Sequence, residues 1–513
     1  METYRKPRIL ITFVEAGMGH IVSAQAISDS LKKKYGDKME IIEAYMLRDS
    51  ENPVLPKFEE FLVKNTQLYS KIPAFGDIQF ASMHILGAQN TLKLIHNTTF
   101  HASTLAMIEE YKKYKPDVII CTHFFLLFTA VEYRRKFNPD VTVVAYCPDN
   151  DVHGWWDNRA DVIYTNNPLA TKQAYDLKFR NGHVREVFYP TRADVVESNE
   201  GKESYREKFG IPQDKFAVVI ADGVYAKAKL RKVCKELLKT DVPITICVLA
   251  GKNEKLKRLF DEIKPRVKPN ITLLTFGFIK EAPQLYGACD LFITKAGPNA
   301  VLDSVMMGTP ILTDYCATPS ERATKKLFVE HMFCGYHFVS PRRIRKQVEK
   351  LVEQPELLQK IRETLSFFDK SRNGADEIAD DIAEILWNRR ERMEKILREE
   401  KSVISEFFNE KAEIKRAEAK KKIEKIQETT AKRAEKFGQS EKLDGETAEK
   451  LSQKSAKRIE VVNARTEKQI EKIDCKTEKV IEKVYEGKAS RYSAKAILKK
   501  VDREQDKRET DLA

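Results

Sequence analysis

The sequence predicts an α/β protein of two doubly wound, Rossmann-like domains facing a cleft, followed by a long helical extension. Three observations carry this reading. From Arg8 to about Leu386, short apolar runs rich in β-branched residues alternate with amphipathic stretches, the pattern of parallel sheets covered by helices on both faces. Between Tyr189 and Gly201, Pro190 and a polar run divide that region into comparable halves. From Arg389 onward the chain is rich in Glu, Lys, Arg and Ala, and residues 401–513 carry 30 basic and 23 acidic side chains. A chain of 513 residues is in any case too long for a single core.

In the first half the strands are expected at Ile9–Val14, Ile41–Tyr45, Val118–Cys121, Val141–Tyr146 and Val162–Thr165. In the second half they are expected at Phe216–Ile220, Ile244–Leu249, Ile271–Leu274, Leu291–Thr294 and Ile311–Thr313. The stretch from Asn52 to Tyr114 holds Phe58, Phe61, Leu62, Tyr69, Phe75, Phe80, Leu86 and Phe100 and no strand pattern, so it reads as a helical insert. Near the C-terminus, Ile459, Val462, Thr466, Ile470, Ile473, Thr477, Val480 and Val484 follow the three-and-four spacing of a coiled-coil stripe. Gly438 and Gly445 bracket a polar break that would turn one helix back on another. The expected organisation is residues 1–190 with the insert at 52–114, 191–370, a crossover helix at 371–392, and a charged helical extension at 393–513.

The formal net charge of +13 suits an anionic membrane surface or a nucleotide substrate. No nucleic-acid recognition motif accompanies it, so nucleic acid is not an expected partner. The eight cysteines are scattered and none forms C-x-x-C, which points to a reduced intracellular protein without a metal site. Ile9 to Val14 is too short for a secretory segment. The Val118–Val131 run is about half of the roughly 20 residues a bilayer span needs, and His123 interrupts it. Membrane contact is therefore expected to be peripheral, at the cytoplasmic face.

Two glycine segments carry the chemistry. In the first, the strand Ile9–Val14 runs into Gly17-Met18-Gly19-His20 and then an amphipathic helix. The glycines admit a ligand close to the backbone, and a helix start favours negative charge. A third glycine is missing, so this is not the dinucleotide fingerprint, and a tight turn with a capping histidine is the plain alternative. In the second, the strand Leu291–Thr294 runs into Lys295-Ala296-Gly297-Pro298-Asn299 and a helix bearing Asp303. Pro298 suits a first helical turn. Free N–H groups around Gly297 and Asn299 are suited to a diphosphate, and Asp303 to ribose hydroxyls. An ordinary βαβ unit is the alternative here.

Together these segments resemble the family of monogalactosyldiacylglycerol synthases and bacterial processive diacylglycerol glucosyltransferases, relatives of the peptidoglycan lipid-intermediate transferase. The resemblance covers roughly residues 8–390. Gly17-Met18-Gly19-His20 matches the family's Gly-x-Gly-His, and Asp149 with His153 resembles its Asp and His at a strand end, with Trp155 and Trp156 beside them. Gly251-Lys252-Asn253 resembles its Gly-Lys-Asn, Gly277-Phe278 its Gly-aromatic step near the base, and Pro319-Ser320-Glu321 its Gly-Gln-Glu. The resemblance implies a GT-B fold, a lipid acceptor on the first domain, a UDP-sugar on the second, and an inverting transfer without a bound metal or other cofactor. The insert occupies the place of the family's membrane and acceptor-binding helices. The sequence departs from the family pattern on the donor side. Pro298 removes an N–H, Asp303 stands for Glu, Ser320 for Gln and Thr324 for Asn.

The resulting expectation is a hexosyltransferase acting on diacylglycerol or a glycosyl-diacylglycerol. His20 is the candidate base, with Asp149 orienting it; Gly17, Gly19, His153 and Trp155 lie on the acceptor side. Gly251, Lys252, Asn253, Gly277, Phe278, Lys295, Gly297, Asn299, Asp303, Ser320 and Glu321 line the donor side. His123 faces the cleft, with a packing role equally open. The rival expectation is a catalytically weakened GT-B scaffold that binds a nucleotide-sugar or a partner. Self-association through 393–513 is expected in either case.

Overall fold

The computed structural model describes residues 5–485 apart from 16–17, 86, 180–181, 193–194, 196–199, 224–227, 315, 317, 369–370 and 439–444. The first of its two sheets contains β1 (Arg8–Thr12), β2 (Glu40–Ala44), β3 (Val118–Cys121), β4 (Thr142–Tyr146), β5 (Val162–Thr165) and β6 (Val184–Glu186). Their order is β2-β1-β3-β4-β5-β6, and every pairing is parallel. The second contains β7 (Phe216–Ala221), β8 (Ile244–Leu249), β9 (Ile271–Phe276), β10 (Leu291–Thr294), β11 (Ile311–Thr313) and β12 (Gly335–His337). Its order is β12-β11-β10-β7-β8-β9, also parallel throughout. Helices cover both faces, so the central strands are apolar along their whole length. Ile9, Leu10 and Ile11 of β1 are fully buried, each contributing roughly 1.5–3 kcal/mol of hydrophobic stabilisation. β1 leaves the sheet at Thr12, two residues before the end of its apolar run, because Phe13 and Val14 pack as loop residues.

In a doubly wound sheet, ligands bind outside the carboxyl ends of the strands where the strand order reverses. In the first sheet that point lies between β1 and β3, and in the second between β7 and β10. The glycine segments come directly after β1 and β10, so each sits at a switch point. The two domains face one another there, joined by Asn299 to Gly19 and by Ser320 to Asp149. The chain then returns to its first domain. Ala375, Ile378, Ala379, Ile382 and Ala383 of the Gly374–Gly438 helix are fully buried. Phe188 N–H donates to Glu377 Oε2 at 2.8 Å, and Tyr35 O–H to Asp380 Oδ1 at 2.7 Å. Gly374 makes this return close, since a Cβ there would stand 1.7 Å from the carbonyl oxygen of Phe188.

The insert is four helices, Val54–Lys71, Pro73–His84, Ala88–Asn97 and His101–Tyr114. Phe58 anchors it, with ring centroids 4.9 Å from Phe100 and 5.9 Å from Phe125. Its side chains point two ways: Phe58 and Leu62 inward, and Phe61, Ile72, Ile78, Ile85, Leu94 and Leu105 into solvent. Ile78 is 72% exposed. Leu86 lies outside the described residues.

Residues 1–383 form one compact unit and 384–513 a second. The Gly374–Gly438 helix runs unbroken through residues 392–393. The Gly445–Tyr485 helix half-buries Ile459, Val462, Thr466, Ile470, Ile473 and Thr477, the positions of the stripe. The polar break at 439–444 lies outside the described residues.

Candidate active site

The Met18–Tyr35 helix begins at the carboxyl end of β1 and places His20 in its first turn. His20 Nδ1 lies 2.6 Å from the carbonyl oxygen of Thr122, the residue directly after β3. A carbonyl oxygen only accepts, so Nδ1 carries the proton of the neutral ring and Nε2 keeps its lone pair. The Thr122 hydroxyl donates back to the carbonyl of His20 at 3.0 Å. Helix start and strand tip are thus tied reciprocally across the switch point. The His123 ring stands edge to face with His20, centroids 4.7 Å apart. Burial first, then His20 and His153, hold His123 well below the usual histidine range, so it is neutral.

The orienting partner of His20 is therefore a backbone carbonyl and not Asp149. β3 lies between β1 and β4, which puts the loop after β4 about two strand spacings, roughly 10 Å, from the tip of β1. The Asp149 carboxylate instead accepts the Ser320 hydroxyl at 2.6 Å, from the donor half. Its neighbour Asn150 donates to Thr324 Oγ1 at 2.9 Å, also across the cleft. His153 is buried beneath this loop, with Nδ1 accepting Trp155 N–H at 3.3 Å, and burial holds it down to about 3. Trp155 and Trp156 are core residues, and their buried indole N–H groups have no partner among the described residues. The loop is pinned to the insert by Gly154 N–H donating to Met83 O at 2.8 Å and by His84 Nε2 against Asp151 Oδ2 at 2.9 Å. Gly17 lies outside the described residues.

On the donor side, the Pro298–Met306 helix starts at the end of β10. Ala296, just before it, is fully buried and left-handed at φ 64°, a strained state for a residue with a Cβ. Asn299 reaches across the cleft, donating from Nδ2 to the carbonyl of Gly19 at 3.4 Å while accepting Tyr189 O–H at 3.2 Å. A Cβ on Gly19 would stand 3.6 Å from Asn299 Oδ1, so the two glycine segments meet here. Asp303, one turn on, is half-buried and adds to the burial that raises the phenols of Tyr189 and Tyr286.

Lys295 Nζ is 2.8 Å from Glu321 Oε1. Burial alone would lower Lys295, but Glu321, Asp222 and Asp314 outweigh it and hold the ammonium above its usual value. Glu321 closes a capping box with Thr318 at the start of the Pro319–Lys325 helix. Further out, Gly251 takes the left-handed conformation at φ 58°, and Asn253 caps the Glu254–Ile263 helix. The Lys252 ammonium sits over the exposed ring of Phe278, 5.7 Å from its centroid. Gly277 lies against Gly251, where a Cβ would be 3.8 Å from its carbonyl oxygen.

The structure thus brings together Gly19 with Asn299, Asp149 with Ser320, and Lys295 with Glu321. Sequence reasoning missed Thr122, Asn150, and the Asp77–Arg322 ion pair that joins the insert to the donor half. The signal for Thr122 was its place directly after β3.

Residues 20–187 match the family model for monogalactosyldiacylglycerol (MGDG) synthase. The chain is 22% identical over 371 residues to monogalactosyldiacylglycerol synthase 1, chloroplastic, of Arabidopsis thaliana, covering 68% of this chain and 65% of that one. It is 24% identical over 388 residues to the processive diacylglycerol beta-glucosyltransferase of Bacillus licheniformis, covering 75% and 97%. The chain therefore spans a little under two thirds of the plant relative and nearly all of the bacterial one. Among solved structures, MurG of Acinetobacter baumannii is 14% identical, with 74% of this chain and 100% of that one covered at a TM-score of 0.49. By its site residues and by these comparisons, the chain resembles the monogalactosyldiacylglycerol synthases and processive diacylglycerol glucosyltransferases.

Proposed function

We propose that the protein is an inverting glycosyltransferase that moves a hexose from a UDP-sugar to diacylglycerol or a glycosyl-diacylglycerol at a membrane surface. The observation that carries this reading is His20. Its Nδ1–H is committed to Thr122, its Nε2 lone pair is left for an incoming hydroxyl, and Asn299 at the donor helix touches the adjoining Gly19. The acceptor hydroxyl would give its proton to Nε2 as its oxygen bonds to the anomeric carbon. The bond from that carbon to the diphosphate breaks, and its electron pair leaves with UDP. The helix start at Gly297–Asn299, with Lys295, would hold the diphosphate charge, and Asp303 and Glu321 the hydroxyls of ribose or sugar. The Gly277–Phe278 step, beside Gly251-Lys252-Asn253, offers an exposed aromatic face for the base.

Contact with lipid would fall to the insert. No described helix is long and apolar enough to cross a membrane. The insert nevertheless exposes Phe61, Ile72, Ile78, Ile85, Leu94 and Leu105 within a few turns of the Asp149–Trp156 loop it pins. A second reading, a scaffold that binds without turnover, is favoured by the Lys295–Glu321 pair, which already occupies the ammonium a diphosphate would need.

The test is turnover with UDP-hexoses on vesicles containing diacylglycerol. His20→Ala should lose about 10²- to 10⁴-fold in kcat with UDP binding retained. Loss of less than ten-fold removes His20 as the base, and UDP binding without turnover in the unaltered chain selects the scaffold.

A further inference from the structure

We propose that His123 is a positioning residue which, with Thr122, forms a rigid wall that holds the His20 ring in place as its Nδ1–H tautomer. The inference rests on the reading of His20 as the base.

The tip of β3 meets the start of the Met18–Tyr35 helix through two reciprocal bonds, Nδ1–H of His20 to Thr122 O at 2.6 Å and Thr122 O–H to His20 O at 3.0 Å. These fix the His20 ring and its tautomer. The next residue, His123, lays its own ring against that ring at an interplanar angle of 68°. Little freedom is left to His123. Its Nδ1 caps the Phe124–Lys136 helix by accepting Phe125 N–H at 3.3 Å. Phe124 and Phe125 stack on it at 4.3 and 5.5 Å, and it is 4% exposed. With Nδ1 accepting, the neutral ring holds its single proton on Nε2.

The titratable groups that act on His123 are His20, from the first helix, and His153, from the loop after β4. Both are imidazoles, and neither supplies the negative charge that would stabilise a proton on this wall. A proton taken from the acceptor therefore stays on His20 and is not relayed inward to His123, whose Nδ1 already accepts Phe125 N–H. The cap alone would be met by Asn, Asp, Ser or Thr, none of which lays a ring against His20.

The experiment is nitrogen-15 NMR of the imidazoles on the full chain without substrate, alongside kcat and KM. In the unaltered protein His20 should appear as the Nδ1–H tautomer; an Nε2–H tautomer overturns the inference with no variant needed. His123→Asn keeps a strong cap for Phe125 N–H while removing the ring and admitting water. The His20 ring should then populate both tautomers, kcat should fall, and KM for the UDP-sugar should hold. A His20 that keeps the Nδ1–H tautomer alone in the variant, or an unchanged kcat, overturns the inference. An unaltered protein with the stated tautomer but no sugar transfer overturns the proposed function and leaves the positioning of His20 intact.

Discussion

The two switch points solve opposite problems with the same backbone. At the first, between β1 and β3, the His20 ring stands against that of His123, which burial first holds well below the usual histidine range. At the second, between β7 and β10, a half-buried ammonium is surrounded by Glu321, Asp222 and Asp314. Abstraction of a proton calls for a base free of nearby charge, whereas holding a diphosphate calls for a fixed cation. On the proposed reading the same strand–turn–helix unit supplies either one, and the residues at the tip of the neighbouring strand decide which. Thr122–His123 stand at the tip of β3, and Asp222–Gly223 at the tip of β7.

The comparison breaks most visibly at Lys295. Replacing it by Met leaves the Glu321 carboxylate buried without its ammonium, at a cost of about 3 kcal/mol. The second domain should lose stability in thermal unfolding, and UDP affinity should fall at least ten-fold by titration calorimetry. Lys295→Met/Glu321→Leu should recover most of the stability and none of the affinity. If affinity returns with stability, Lys295 supports the fold alone.

On the acceptor side the corresponding break is steric. A Cβ on Gly154 would stand 2.6 Å from Ala88 Cβ and 2.8 Å from the carbonyl oxygen of Met83. Gly154→Ala must therefore push the Asp149–Trp156 loop off the insert. The expected cost is about 1–3 kcal/mol of stability, with kcat reduced more than KM for UDP-sugar. A variant with the unfolding temperature of the parent would show that the insert is not clamped to the loop.

Most of the fold was legible because central parallel strands are buried on both faces and read as continuous apolar runs. The two strands missed, Val184-Arg185-Glu186 and Gly335-Tyr336-His337, are three-residue edges whose polar and glycine content carries no such run. The glycine turns were legible for the same local reason. Lateral order was not legible. Asp149 and Ser320 are 171 residues apart in sequence, and no periodicity marks their hydrogen bond. Asp149 was expected beside His20, but β3 lies between their strands and delivers Thr122 and His123 there instead.

A smaller effect distinguishes the two sides by pH. The hydrogen bond to Asp151 raises His84 above its usual 6.5. Its stabilisation is complete below that value and is lost as pH rises through the raised one. Asp151 is lowered on balance: burial pushes it up, and His84 outweighs that. Its part is lost as pH falls toward strong acid. The pair therefore supports the insert between those limits. The His84 side chain is 39% exposed, so the contribution should stay under about 1 kcal/mol. His84→Gln should lower the unfolding temperature at pH 5.5 and leave it unchanged at pH 9, and an equal loss at both would assign the effect to packing.

The smallest expected effect is at Ala296, and its smallness is the point. Its left-handed backbone at φ 64° costs an alanine roughly 1–2 kcal/mol. Glycine would escape that strain but adds roughly 0.5–1 kcal/mol of unfolded-state entropy, and it gives up a fully buried methyl worth about 0.8 kcal/mol. The terms nearly cancel, so Ala296→Gly should shift the unfolding temperature little. The loop that carries Lys295 and Gly297 should loosen all the same, raising KM for the UDP-sugar a few-fold at constant kcat. That split would show that a residue with a Cβ in a left-handed turn holds the Lys295–Gly297 loop in one shape, as the Thr122 clasp holds His20 on the other side of the cleft.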